Sequence, residues 1–185
     1  MAATPPPPRE RSRSPRGMTD AKAWPIINEP DCRGKGSNPE GRVVIGKNVT
    51  FRELTVVNKP TGPETRIGDE CYIMSGSFIG HDCSLGYKVT LGPRAAVAGS
   101  VQIGDFSNIG MNSSVHQGST IGRCCMLGAG CFFKGTSPDG ITWAGIPARP
   151  LCVNEVGIAR SSLLEAEQQT MKEQAEEFLK NYKKK

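Results

Sequence analysis

From Ile67 to Phe133 an apolar residue recurs at every sixth position: Ile67, Ile73, Ile79, Leu85, Leu91, Val97, Ile103, Ile109, Val115, Ile121, Leu127 and Phe133. Four places after each leader stands a small or β-branched residue: Cys71, Ser77, Cys83, Val89, Ala95, Val101, Ser107, Ser113, Ser119, Cys125, Cys131 and Ser137. Glycine follows most leaders. A six-residue period with an aliphatic lead is the signature of a parallel β-helix, each hexad supplying one short strand and one turn. Three hexads close a triangular coil, and the inward leaders of successive coils stack into one core. An open sandwich of short strands would not keep the period without a slip. Two further hexads fit upstream from Ile45, and residues 57–66 (VNKPTGPETR) read as a hexad enlarged into a loop.

The pattern divides the chain. The β-helix is predicted over 43–138. Residues 1–42, proline-rich and polar, bury too little apolar surface to offset ordering entropy and are expected to form a disordered tail. The turn-rich run TSPDGITWAGIPARP is expected to cap the open end over 139–160, with Trp143 shielding the last coil. Over 161–185 the hexad period is lost, and Leu164, Met171, Ala175, Phe178 and Tyr182 predict an amphipathic helix. Its closing KNYKKK fits a solvated helix end, with an acidic carrier protein as the alternative contact.

Charge and cysteine content narrow the function classes. The net charge of +5 sits mostly near the N-terminus, in RERSRSPR, and no basic stripe with aromatic platforms points to nucleic acid. The SRSP stretch reads as a solvated tail or a phosphorylation site. Cys32, Cys71, Cys83, Cys124, Cys125, Cys131 and Cys152 form no CxxC pair, so neither a disulfide framework nor a zinc cage is expected. Cys71, Cys83, Cys125 and Cys131 fall at the small inward position and read as core filler. No apolar run reaches a membrane span, and no secretory signal is evident. A cytoplasmic location follows, or an organellar matrix if the Arg-rich residues 1–17 act as a transit peptide.

The candidate chemistry lies in SFIGHDCSLG, residues 77–86. His81 stands third in its hexad, outside the two positions that the wall needs. One coil further along stands Gly99, and two coils along Gln117, next to His116. Stacked parallel strands put His81 and Gln117 on one edge, about 9.5 Å apart. Gly99 between them is expected to leave a gap with a bare backbone N–H, a plausible substrate slot.

The runs IGHDCSLG…LGPRAAVAGS, NIGMNSSVHQGSTIG and GIPARPLCVNEVGIAR together resemble the bacterial UDP-N-acetylglucosamine O-acyltransferases of lipid A biosynthesis, over about residues 43–160. The resemblance implies an all-β, left-handed parallel β-helix, and a homotrimer with active sites in the clefts between subunits. It implies transfer of a 3-hydroxyacyl chain from acyl carrier protein to a sugar-nucleotide hydroxyl, without a bound cofactor or metal. Carried over by position, His81 would be the general base, Asp82 its orienting partner, and the Gly99 N–H the oxyanion donor. His116 and Gln117 would line the cleft, and Asn154 and Arg160 would contact the donor arm or the nucleotide. A neutral imidazole suits removal of a hydroxyl proton near neutrality, and a fixed N–H suits the developing oxyanion.

The chain departs from that family in places. The family's N-terminal coils are expected to be missing, the loop at 57–66 is shorter, and Phe78 and Ser100 stand where relatives carry further histidines. The RS-bearing leader looks more eukaryotic than bacterial, which leaves the acceptor open. The alternatives are a coenzyme-A-dependent hexapeptide acetyltransferase, a γ-type carbonic anhydrase and a non-catalytic trimeric scaffold. The anhydrase needs three histidine ligands, and the chain has two.

Overall fold

A computed structural model describes residues 25–29 and 38–183. They build a left-handed parallel β-helix of triangular section with two short helices at one end. Face A carries the strands Ile26–Glu29, Val56–Asn58, Phe78–Ile79, Ala96–Val97, Ser114–Val115 and Phe132–Phe133. Face B carries Arg42–Ile45, Glu64–Ile67, Ser84–Leu85, Gln102–Ile103, Thr120–Ile121 and Thr136–Ser137. Face C carries Thr50–Phe51, Tyr72–Ile73, Thr90–Leu91, Asn108–Ile109, Met126–Leu127 and Ile141–Ala144, and ends on Arg149–Val153, its one antiparallel neighbour.

All twelve leaders and all twelve small-position residues are buried. The small position is more than filler. Ser77, Ser107 and Ser113 each donate a hydroxyl to the carbonyl fifteen residues on, at 3.0, 2.7 and 2.7 Å. The Cys71 and Cys83 thiols make the same contact at 3.1 and 3.0 Å. Serine and cysteine therefore interchange here because both are small and both reach the next coil's backbone. Burial pushes both of these thiols up to about 11, which keeps them out of nucleophilic chemistry.

Most corners turn through one left-handed residue, three places after a leader. Ten of these residues are not glycine, Asp82 (φ 58°), Arg94 (φ 58°) and Ser100 (φ 58°) among them. In regular corners this residue's N–H donates to the carbonyl in the preceding coil that stacks against it, as Ser100 does to His81 at 2.8 Å and Arg94 to Ser75 at 2.9 Å. The bond holds the corner in a conformation that non-glycine residues otherwise avoid.

The sequence pattern and the structure part in four places. Ile26–Glu29, inside the stretch expected to be disordered, pairs with Val56–Asn58 as a strand of face A; residues 1–24 and 30–37, the transit-peptide and SRSP segments included, lie outside the described residues. The last hexad is two residues short, so Ser137 pairs with Ile121 and takes a leader's place rather than the small position. The slip lets Trp143 pair with Leu127 and cover the core. Its indole N–H donates to the Ser137 hydroxyl at 2.7 Å, and its ring meets Phe133 edge-on at 5.0 Å. Helix α1 (Glu155–Arg160) lies in the stretch expected to be cap alone. Helix α2 (Glu165–Tyr182) lays Phe178 and Tyr182 against Trp143 and buries Met171 and Ala175, whereas Leu164 precedes it and stays exposed. Among the described residues no helix is long and apolar enough to cross a membrane.

Candidate active site

The strand register carries His81, Gly99 and Gln117 into one column on the corner between faces A and B, because Phe78–Ile79, Ala96–Val97 and Ser114–Val115 pair in step. His81 is buried, 9% exposed. Its Nδ1 lies 2.8 Å from Asp82 Oδ2. The carboxylate also accepts the Thr61 hydroxyl on Oδ2 and the Gly62 N–H on Oδ1 at 2.7 Å. Burial alone would raise the Asp82 pKa, but the hydrogen bonds from Thr61, His81 and Gly62 outweigh it and hold the group below the ordinary value of 3.8. An ionised carboxylate only accepts, so Nδ1 carries a proton, and in the neutral ring Nε2 presents the lone pair. Nε2 has no partner among the described residues, and none of their buried side-chain nitrogens or oxygens is left unpartnered, so Nε2 opens to solvent.

Gly99 does not leave the empty slot that the sequence suggested. A Cβ added there would strike Nε2, Cε1 and Cδ2 of His81, the last at 2.9 Å. The imidazole itself occupies the space that the missing side chain frees. Glycine at 99 is thus the condition for the ring's placement, and the Gly99 N–H, which donates no backbone hydrogen bond among the described residues, sits beside it.

His116 and Gln117 are exposed on the same corner. The His116 Nδ1 is 2.9 Å from the Gln117 carbonyl oxygen, and its ring meets Phe132 edge-on at 6.2 Å. Asn154 and Arg160 are elsewhere. Asn154 caps α1, accepting the Gly157 N–H at 3.2 Å and donating to the Cys124 carbonyl at 2.8 Å. Cys124 turns the corner between faces B and C. Within one chain the structure does not bring Asn154 or the exposed Arg160 to His81.

Beside the His81 corner, face A turns Ile26, Val56, Phe78, Ala96, Ser114 and Phe132 outward in one register column. The matching column of face B reads Val44, Arg66, Ser84, Gln102, Thr120 and Thr136. Five of the six residues on face A are apolar, and five of the six on face B are polar. Sequence reasoning missed Thr61, Gly62 and the backbone anchor Thr65, whose hydroxyl accepts the Asp82 N–H at 2.9 Å. Their signal was the enlarged hexad 57–66, which falls one coil before His81.

No family model matches the chain. A curated acyl-[acyl-carrier-protein]–UDP-N-acetylglucosamine O-acyltransferase of Campylobacter concisus is 34% identical over 145 residues, 76% of this chain and 52% of the relative. The chain therefore spans about half the length of the curated relatives it matches. The solved UDP-N-acetylglucosamine acyltransferase of Campylobacter jejuni superposes with a TM-score of 0.70 at 31% identity, over 80% of this chain and 58% of the other. A GDP-perosamine N-acetyltransferase from Caulobacter crescentus, solved with CoA and GDP-perosamine, superposes with a TM-score of 0.58 at 28% identity, over 69% and 53%. In sequence and in the build of its left-handed β-helix, the chain resembles the bacterial UDP-N-acetylglucosamine O-acyltransferases.

Proposed function

We propose that the chain is an O-acyltransferase that moves an acyl group, 3-hydroxyacyl as in its relatives, from the thioester of acyl carrier protein to a hydroxyl of a UDP-N-acetylglucosamine-like sugar nucleotide. The observation that carries the reading is the His81–Asp82 pair, with Nδ1 tied to the carboxylate and Nε2 open beside the Gly99 N–H. As the sugar oxygen attacks the thioester carbon, its proton passes to Nε2. Asp82 steadies the imidazolium so formed. The carbonyl electrons move to oxygen, and the Gly99 N–H stabilises that charge. Collapse reforms the carbonyl and expels the thiolate, which takes the proton back from Nε2. Atoms and charge balance with no metal and no covalent enzyme intermediate.

The active assembly in this reading is a homotrimer. The largely apolar column of face A, from Phe78 to Phe132 with Ser114 as its polar member, supports a self-association surface at the His81 corner. A closed ring joins two different surfaces of each copy, so α1 of a neighbour, with Asn154 and Arg160, is the proposed source of contacts to the phosphates or the donor arm. A CoA thioester is the second donor considered, because the chain also superposes on an acetyltransferase solved with CoA.

The test is a thioester-transfer assay on the full chain with acyl carrier protein and CoA donors, alongside His81→Ala. Transfer that falls about a thousandfold in the variant supports the reading. Unchanged turnover in the variant overturns the mechanism. A stable trimer that turns over neither donor favours a scaffold.

A further inference from the structure

The enlarged hexad at 57–66 has so far been only an anchor for Asp82. Twenty-two residues separate Val57 from its partner Ile79, against eighteen from Ile79 to Val97. The four extra residues fall at the corner that stacks on His81 and Asp82. They displace the carbonyl that a regular corner would offer to the Asp82 N–H, and the Thr65 hydroxyl takes that bond instead. The displaced backbone then folds over the carboxylate, with Thr61 on Oδ2 and Gly62 on Oδ1.

Resting on the reading of His81 as the base, we propose that Thr61 is a positioning residue of the acyl-transfer site. Its hydroxyl fixes the Asp82 oxygen that in turn holds His81 in the tautomer with Nδ1 protonated and Nε2 free. Three features carry this. Oδ2 is shared between Thr61 and His81, so the oxygen cannot turn toward one without losing the other. Gly62 holds only Oδ1, and through a backbone N–H that every residue except proline keeps. The corner between faces B and C differs: the Asp69, Asp105 and Asp139 carboxylates accept a backbone N–H of the preceding coil and meet no imidazole, whereas Asp82 accepts such an N–H on Oδ1 and meets the His81 ring on Oδ2. The loop thus converts a structural corner into an oriented acid–base pair.

The test compares Thr61→Val, which keeps the shape and removes the donor, with Thr61→Ser, which keeps the donor. The chain has only two histidines, so nitrogen-15 labelling of histidine resolves the His81 ring once His116→Gln has assigned the other signal. The wild-type His81 signal is expected in the Nδ1–H form at neutral pH. Thr61→Val is expected to show a mixture of both tautomers and a kcat about tenfold lower at unchanged KM. Thr61→Ser is expected to restore both, with melting temperatures of the two variants alike. A Thr61→Val protein with the wild-type tautomer overturns the proposal. So does a loss that Thr61→Ser fails to restore. Absence of acyl transfer in the wild type removes the function proposed above, and the tautomer measurement still decides the role of Thr61.

Discussion

Two corners of the prism share a backbone and differ in where they put an aspartate. Between faces B and C, Asp69, Asp105 and Asp139 stand two places after a leader. Their Oδ1 atoms accept the N–H groups of Lys47, Tyr87 and Arg123 in the preceding coil, at 2.8, 2.7 and 2.7 Å. That ladder satisfies itself. Between faces A and B the aspartate moves one place on, to the left-handed position, and a histidine takes its former place. The carboxylate then meets the imidazole on Oδ2 as well as a backbone N–H on Oδ1, and one ring nitrogen is left open. A shift of one residue separates a strut from an acid–base pair.

Substitutions that cross this divide should give unlike results. His81→Ala, in the transfer assay already described, is expected to give the largest loss. Asp82→Asn should follow, with kcat lower by about a hundredfold or more, since an amide no longer enforces the Nδ1–H tautomer; steady-state kinetics measures it. The same variant carries a pH signature. The Asp82 pKa is depressed on folding, so its contribution to stability is present above the ordinary value of 3.8 and is lost as pH falls through the lowered value. Thermal melts on the acid side should be flatter for Asp82→Asn than for wild type. Gly99→Ala is expected to push the ring off its seat and lower kcat by about tenfold to a hundredfold while the coils stay folded, as circular dichroism would record. At the other corner, Asp105→Ala should leave kcat alone and cost about 1–2 kcal/mol in denaturant unfolding, because the Tyr87 N–H loses its acceptor. Smallest of all, Arg94→Gly should change stability by less than about 1 kcal/mol, in the stabilising direction, by relieving an exposed left-handed residue. An activity loss in Asp105→Ala as deep as that in Asp82→Asn would erase the distinction between the corners.

The wall of the prism was legible because every hexad repeats one physical demand, an inward aliphatic followed by a small residue. The column of His81, Gly99 and Gln117 followed from the same count. What escaped the count was aperiodic. Ser137 could not be placed because the last hexad drops two residues, which only the pairing with Ile121 reveals. Ile26–Glu29 carries no hexad to announce its place on face A. Thr61 was hidden because its partner Asp82 lies twenty-one residues away, across an insertion of unknown path. The gap inferred at Gly99 was real in sequence and filled in space, since a column count places residues and says nothing of where a ring turns. Asn154, read through resemblance as a ligand contact, is in its own chain a helix cap.

The insertion at 57–66 has a wider consequence. Coils before and after it stay in register on all three faces, with Val57 on Ile79, Ile45 on Ile67 and Phe51 on Ile73. Lengthening a loop carries a closure entropy that grows only with the logarithm of its length. A corner is therefore a port where new residues enter without disturbing the pitch or the core. On such a scaffold chemistry can be edited one corner at a time, while the stack behind it keeps its measure.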